Sequence, residues 1–189
     1  WDGGLTNVTN KTSGGTSTMS ADYTYDVYDR RIKKIVDADG AGGGGSGTIR
    51  YVYEDQGITR VVLQFDGSNN ITHRYLHGPA IDQLLADEDS SNALIWSLTD
   101  NIGTVRDLIN NSGTTQNHVK YGAFGGVTAE SASAVDFLMG FAGMDRDEET
   151  GVSYSWHRST QNGRWLALDP DGFAAGDTNL YRYVSNGPV

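Results

Sequence analysis

Cysteine is absent from the chain, which excludes disulfides, thiolate metal sites and a cysteine nucleophile together. Basic residues are scarce: 14 Lys and Arg stand against 24 Asp and Glu, a formal net charge of -10. A phosphate backbone is repelled by such a field, so nucleic acid is not an expected partner. No apolar run approaches the roughly 18 residues that span a bilayer, and no membrane insertion is expected. The residues after Trp1 carry no leader pattern, so any export signal is expected outside this sequence. Proline is limited to 3 residues, whereas glycine reaches 25 and tyrosine 10. That balance excludes collagenous and proline-rich disordered chains and points to short strands separated by turns.

The 189 residues suit one compact domain or a slice of a larger one. Turn signals recur at Asp39-Gly40, Asp66-Gly67, Asp100 to Gly103, Asn110 to Gly113, Gly125-Gly126, Asn162-Gly163 and Asp171-Gly172, each with a residue that tolerates positive φ. Between them lie stretches rich in Tyr, Val, Ile and Thr at 23–25, 31–36, 48–53, 60–65, 72–76, 93–98, 104–109 and 118–121. Several alternate apolar with polar, as in Ile49-Arg50-Tyr51-Val52-Tyr53, the pattern of a half-buried strand. The expected class is all-β, an antiparallel array of hairpins. Residues 80–87 and 134–141 are the best helical candidates and read as turns or single short helices. Residues 40–47, GAGGGGSG, read as a flexible hairpin tip or an engineered linker.

An imperfect repeat runs through the chain. Tyr23 to Ile32 echoes in Arg50 to Asp55, Thr72 to Gly78 and Val119 to Gly125, an aromatic strand followed by an acidic or glycine turn. One such unit cannot bury its own face, so the remainder of a longer chain, or copies of this one, are expected along its edges.

Tyr25-Asp26-Val27-Tyr28-Asp29-Arg30-Arg31 resembles the tyrosine-aspartate repeat of YD-repeat (RHS) proteins. Behind it come Leu98-Thr99-Asp100-Asn101-Ile102-Gly103-Thr104-Val105-Arg106, Tyr121-Gly122-Ala123-Phe124-Gly125, and Gly140 to Gly151. Gly163-Arg164-Trp165-Leu166, Asp169-Pro170 and Asn179 to Asn186 complete the set. In this order they resemble the RHS-repeat-associated core module across nearly the whole chain. The resemblance implies a curved β-ribbon, part of a hollow shell, with a C-terminal plug curling inward. It implies hairpins over 1–137 and the core region over 138–189, in a protein secreted by or displayed on a bacterium. It further implies an aspartic-type self-cleaving module that uses one Arg and two Asp to release a C-terminal cargo. By position, the Arg falls on Arg158 and the first Asp on Asp169. The strand here reads Ser153 to Ser159 instead of a tyrosine-rich Arg-Tyr-Tyr, and the second Asp-Pro-x-Gly element is not in this sequence.

Aspartic-protease chemistry needs two carboxylates that share a proton. Asp171 and Asp177 read as turn residues, and Asp169 as a turn or as half of such a site. His73 and His77 have helical metal spacing but sit on a strand pattern, about 13 Å apart. His118 and His157 read as strand surface. No cofactor or metal site is expected: Gly42 to Gly47 lacks the lysine of a phosphate loop, and no Gly-x-Ser-x-Gly elbow occurs. Asp37 to Gly40 and Asp145 to Glu149 read as solvated acidic turns. Trp96, Trp156 and Trp165 read as core, with a sugar-stacking platform as the rival. The leading expectation is a structural segment that caps or encloses a C-terminal cargo, with Phe137, Phe141, Trp165 and Leu166 buried. The rivals are half of an autoproteolytic module and an adhesin or carbohydrate-binding, self-assembling surface module.

Overall fold

The computed structural model describes residues 4–40, 46–54, 60–156 and 158–187, so most of the glycine-rich 40–47 stretch and His157 lie outside the described residues. The chain is all-β. Eleven strands follow one another in sequence order as a single antiparallel sheet, with β1 and β11 at its two open edges. They are β1 (Asn7–Lys11), β2 (Ser17–Tyr25), β3 (Arg31–Asp37), β4 (Ser46–Tyr53), β5 (Val61–Asp66) and β6 (Ile71–His77). β7 (Leu84–Asp89), β8 (Leu94–Thr99), β9 (Val105–Asn110), β10 (Thr115–Tyr121) and β11 (Val127–Glu130) complete the ribbon. A smaller antiparallel sheet follows: β12 (Asp145–Asp147), β13 (Val152–Ser155), β14 (Arg158–Gln161) and β15 (Arg164–Trp165).

Five of the hairpins share one turn chemistry. Asp26 Oδ1 accepts the N–H groups of Tyr28 at 2.9 Å and Arg30 at 3.0 Å, and Asp29 takes a left-handed φ of 59°. The same arrangement recurs at Asp66, Asp89, Asp100 and Asn110, with Asn69, Asn92, Gly103 and Gly113 in the left-handed position. A type I turn closed by one left-handed residue matches the twist of its strands. The aspartate after the tyrosine thus satisfies backbone donors that the loop leaves unpaired. At Asp66-Gly67 the positive φ belongs to Asn69 rather than to the glycine.

One ribbon face is buried, as the alternation of Met19, Ala21 and Tyr23 along β2 shows. Across this face runs the segment that leads into the second sheet. Its Phe137, Leu138 and Met139 pack with Tyr51, Val61, Leu84, Val105 and Leu108. Full burial of such a side chain stabilises by about 1.5–3 kcal/mol.

Of the two stretches read as turns or short helices, the first is corrected. The stretch 80–87 is no helix: Leu84 to Asp89 is a strand, because pairing with β6 and β8 outweighs the helical propensity of Leu-Leu-Ala. Within 134–141 the chain is extended or turned, ending in a 3₁₀ turn at Phe141–Gly143. Phe137 and Phe141 are buried as expected, but Trp165 is half-buried and Leu166 is 39% exposed. Trp156 is not core either: it occupies the β13–β14 corner with a φ of 50° and is exposed. Trp96 is half-buried and donates to Asn111 Oδ1 at 2.8 Å.

Candidate functional site

The chemistry-bearing residues gather where the ribbon meets the second sheet. Residues three apart on a strand normally face opposite ways, yet Arg31 and Lys34 both turn inward. The β2–β3 register explains it: Lys34 pairs with Tyr23 and Arg31 with Tyr25, so the ladder slips by one residue in a bulge that re-aims Arg31. Opposite them, β12 places Asp145 and Asp147 on one face by its period of two. Arg31 Nη1 meets Asp147 Oδ2 at 2.9 Å, and Lys34 Nζ lies 3.1 Å from Asp147 Oδ1 and 3.0 Å from Glu149 Oε2. Asp145 Oδ2 is 3.6 Å from Arg31 Nη2. The rings of Tyr23, Tyr51 and Tyr154 surround the guanidinium at 5.5, 5.3 and 5.1 Å.

Asp145 to Glu149, read above as a solvated acidic turn, is therefore corrected: Asp147 is 1% exposed and joins the interior. Burial pushes Asp147 up, but Arg31 and Lys34 overcome it and hold the carboxyl below its ordinary value. Asp145 has only the longer contact, and burial, countered in part by Arg31, pushes it up to about 6. Burial works against the Lys34 ammonium, but Tyr51, Asp147 and Glu149 keep it charged. The cavities here are about 20 and 60 Å³, room for single waters and far below the ~300–1,000 Å³ of a substrate pocket.

The motif residues interlock around this cluster. Thr104 is fully buried and accepts the Ala142 N–H at 3.0 Å, while the Val105 N–H reaches the Gly140 carbonyl at 3.1 Å. Gly125 lies under Phe141 and Gly163 under Phe124, so close that a Cβ would stand 2.6 and 2.8 Å from the rings. Tyr154 donates its hydroxyl hydrogen to the Asp29 carbonyl at 2.7 Å.

The two site residues taken from the family pattern are also brought together. Arg158 Nη1 bonds Asp169 Oδ2 at 2.9 Å, and its guanidinium lies 4.2 Å from the centre of the Trp165 ring. Asp169 Oδ1 accepts the Asp171 N–H at 3.0 Å in a turn before the 3₁₀ segment Gly172–Ala175. Asp177 pairs instead with Arg182 at 3.3 Å. His73 is held by Asp87 at 2.9 Å and His77 by the Val61 carbonyl at 2.7 Å; His118 pairs with Asp107 at 2.7 Å. Among the described residues, no three His, Asp or Glu side chains converge to hold a metal ion. Part of the buried cluster is legible in sequence: Asp145, Asp147 and Glu149 alternate as on a strand, and β3 carries three cations, Arg31, Lys33 and Lys34.

Set beside known proteins, residues 3–189 match the family model described as Teneurin YD-shell. The chain is 28% identical over 181 residues to the Probable deoxyribonuclease RhsA of Dickeya dadantii (strain 3937), a match covering 87% of this chain and 11% of that protein. Among solved structures it is similar to TcdB2-TccC3, with a TM-score of 0.69 and 22% identity over 96% of this chain and 10% of that one. It is also similar to the Photorhabdus luminescens Tc holotoxin pore, with a TM-score of 0.65 and 20% identity over 97% of this chain and 10% of that one. The chain thus spans about a tenth of the length of these relatives.

Proposed function

The chain belongs to the teneurin YD-shell family, and from that premise we propose that it is a wall segment, hairpins over 1–137, whose core region, 138–189, folds onto the ribbon to cap or enclose a C-terminal cargo. The observation that carries this reading is the Arg31–Asp147 pair, which joins ribbon to core through two buried ions 116 residues apart. Separating such a pair leaves buried charge uncompensated, and a wall that must stay shut is served by that penalty. The natural setting is a longer YD-repeat chain, secreted or displayed by a bacterium, as the relatives in Dickeya dadantii and Photorhabdus luminescens suggest. Limited proteolysis of the full-length polypeptide tests it. The region that follows this segment should resist digestion, and Arg31→Met should expose it. A following region digested equally fast with or without the wall overturns the reading.

A second reading, half of a self-cleaving aspartic site, is favoured by the 2.9 Å Arg158–Asp169 contact. The arginine would orient one carboxylate, and a second Asp, outside this sequence, would share the proton with it. Full-length polypeptide with Asp169→Asn should accumulate uncut. Cleavage at the unaltered rate ends this reading.

A further inference from the structure

Asn162-Gly163 forms the two-residue tip of the β14–β15 hairpin, with Gln161 paired to Arg164 on either side. Asn-Gly suits such a turn, which needs positive φ at both positions. The same pair is also chemically reactive, because a glycine has no Cβ to shield its nitrogen from the asparagine side chain or to restrict its torsions. The chain holds two Asn-Gly pairs, this one and Asn186-Gly187. Both asparagines are exposed and left-handed, with φ of 52° and 59°. Their neighbouring nitrogens differ. The Gly187 N–H donates to the Val184 carbonyl at 2.8 Å. Among the described residues, neither the Gly163 N–H nor the Asn162 side chain has a hydrogen-bond partner. Asn110, by contrast, has its side-chain oxygen occupied by the Ser112 and Thr114 N–H groups, each at 3.0 Å.

We propose that Asn162 is a site of spontaneous deamidation, and that its conversion loosens the joint between the core sheet and the ribbon. The Gly163 nitrogen adds to Asn162 Cγ and a C–N bond forms. The side-chain nitrogen leaves as ammonia, taking the proton that Gly163 gives up, and a succinimide ring remains. Water then opens the ring at either carbonyl. One product is an aspartyl residue; the other is isoaspartyl, with the main chain running through the former side chain and longer by one methylene. Either product adds a negative charge to a chain that already carries -10. That charge falls in a cleft of about 300 Å³ that Asn162 lines together with Glu148, Arg146, Tyr121 and Phe141. The isoaspartyl form also alters the backbone where it is closely packed. Gly163 sits so near Phe124 of the β10–β11 turn that a Cβ would stand 2.8 Å from the ring. A two-residue turn matches the twist of its strands only at its own length, so the added methylene moves Gly163 off the ring. The reaction needs water alone and is independent of the chain's role as a wall.

Ageing the full-length polypeptide in warm, mildly alkaline buffer, followed by tryptic mapping, tests the site. Cleavage after Arg158 and Arg164 releases residues 159–164, whose aspartyl and isoaspartyl forms separate by chromatography. Asn162 should convert about tenfold faster than Asn186, the factor by which one hydrogen bond on the attacking nitrogen slows it. Its rate should rise with pH, because that nitrogen must shed its proton. The melting temperature should fall as the isoaspartyl fraction grows. Asn162→Gly keeps the left-handed φ and lacks the reacting carbonyl, so it should age without that fall. Asn162 left intact in the folded protein while the free peptide 159–164 converts overturns the site. Equal rates at Asn162 and Asn186 overturn the role of the unbonded Gly163 nitrogen. Unchanged melting of the converted protein, or an equal fall in Asn162→Gly, overturns the loosening.

Discussion

At the scale of single residues, the outcome of a substitution depends on what is left behind. Arg31 and Asp147 are each almost wholly buried, so Arg31→Met, which leaves Asp147 with Lys34 alone and Asp145 without its cation, is expected to lower stability by about 3–5 kcal/mol, read from urea unfolding. Replacing Arg31, Lys34 and Asp147 together by apolar residues should recover part of that loss, since the buried Asp147 carboxylate goes with its partners while Asp145 and Glu149 lose theirs. Arg158 and Asp169 are only partly buried, and Asp169→Asn should cost no more than about 1 kcal/mol of stability. A large loss there would give the pair a structural weight that its exposure does not support. Gly163→Ala would push a Cβ to 2.8 Å from Phe124 at a φ of 75°, and a loss of about 1–3 kcal/mol is expected. The mutual fit of Phe124 with Gly163 and Phe141 with Gly125 explains why aromatics and glycines stand where they do in these motifs.

At the scale of elements, the hairpin turn sets the rules. Asn69 occupies the left-handed position of the β5–β6 turn, so Asn69→Gly should be tolerated, whereas Asn69→Val should cost about 1–2 kcal/mol in a thermal melt. Asp66→Ala removes bonds to the Ser68 and Asn70 N–H groups and should lower the melting temperature. Turns of this kind are legible in sequence because donor, acceptor and left-handed residue lie within five consecutive positions. Strands with aromatic alternation, such as β4, are legible for the same local reason. β7 was not, because Leu84-Leu85-Ala86 prefers a helix in isolation and only its two neighbouring strands decide otherwise. The buried cluster was missed through the same limit. An acidic run looks solvated until two cations from the far end of the chain are laid against it, and the bulge that turns Arg31 inward has no local signature.

For the whole molecule, the joint between ribbon and core makes stability depend on pH. Asp145, pushed up to about 6, and Glu148, pushed up to about 7 chiefly by burial, stand above their ordinary values of 3.8 and 4.5. A carboxyl raised in the folded state contributes stability that is full below its ordinary value and lost as pH rises through the folded one. Asp147, held below 3.8, does the reverse: its contribution is full above that value and lost in stronger acid. The melting temperature is therefore expected to be highest near the ordinary value of 3.8 and to decline as pH rises through about 6 and about 7. Asp145→Asn should flatten that decline, and a wild-type melting temperature that climbs over the same range would contradict the assignment. The Arg31–Asp147 pair also orders events in time. The two residues are 116 positions apart, so at a synthesis rate of about 5–20 residues per second the guanidinium waits roughly 6–23 s for its counter-charge. The hairpins made meanwhile pair with their sequence neighbours, but their inner face waits for Phe137, Leu138 and Met139 to cover it. A chain that stops short of Asp147 keeps a charged, hydrated strand where the finished protein has an interior, and the ion pair acts as a check that translation has run far enough before the fold commits.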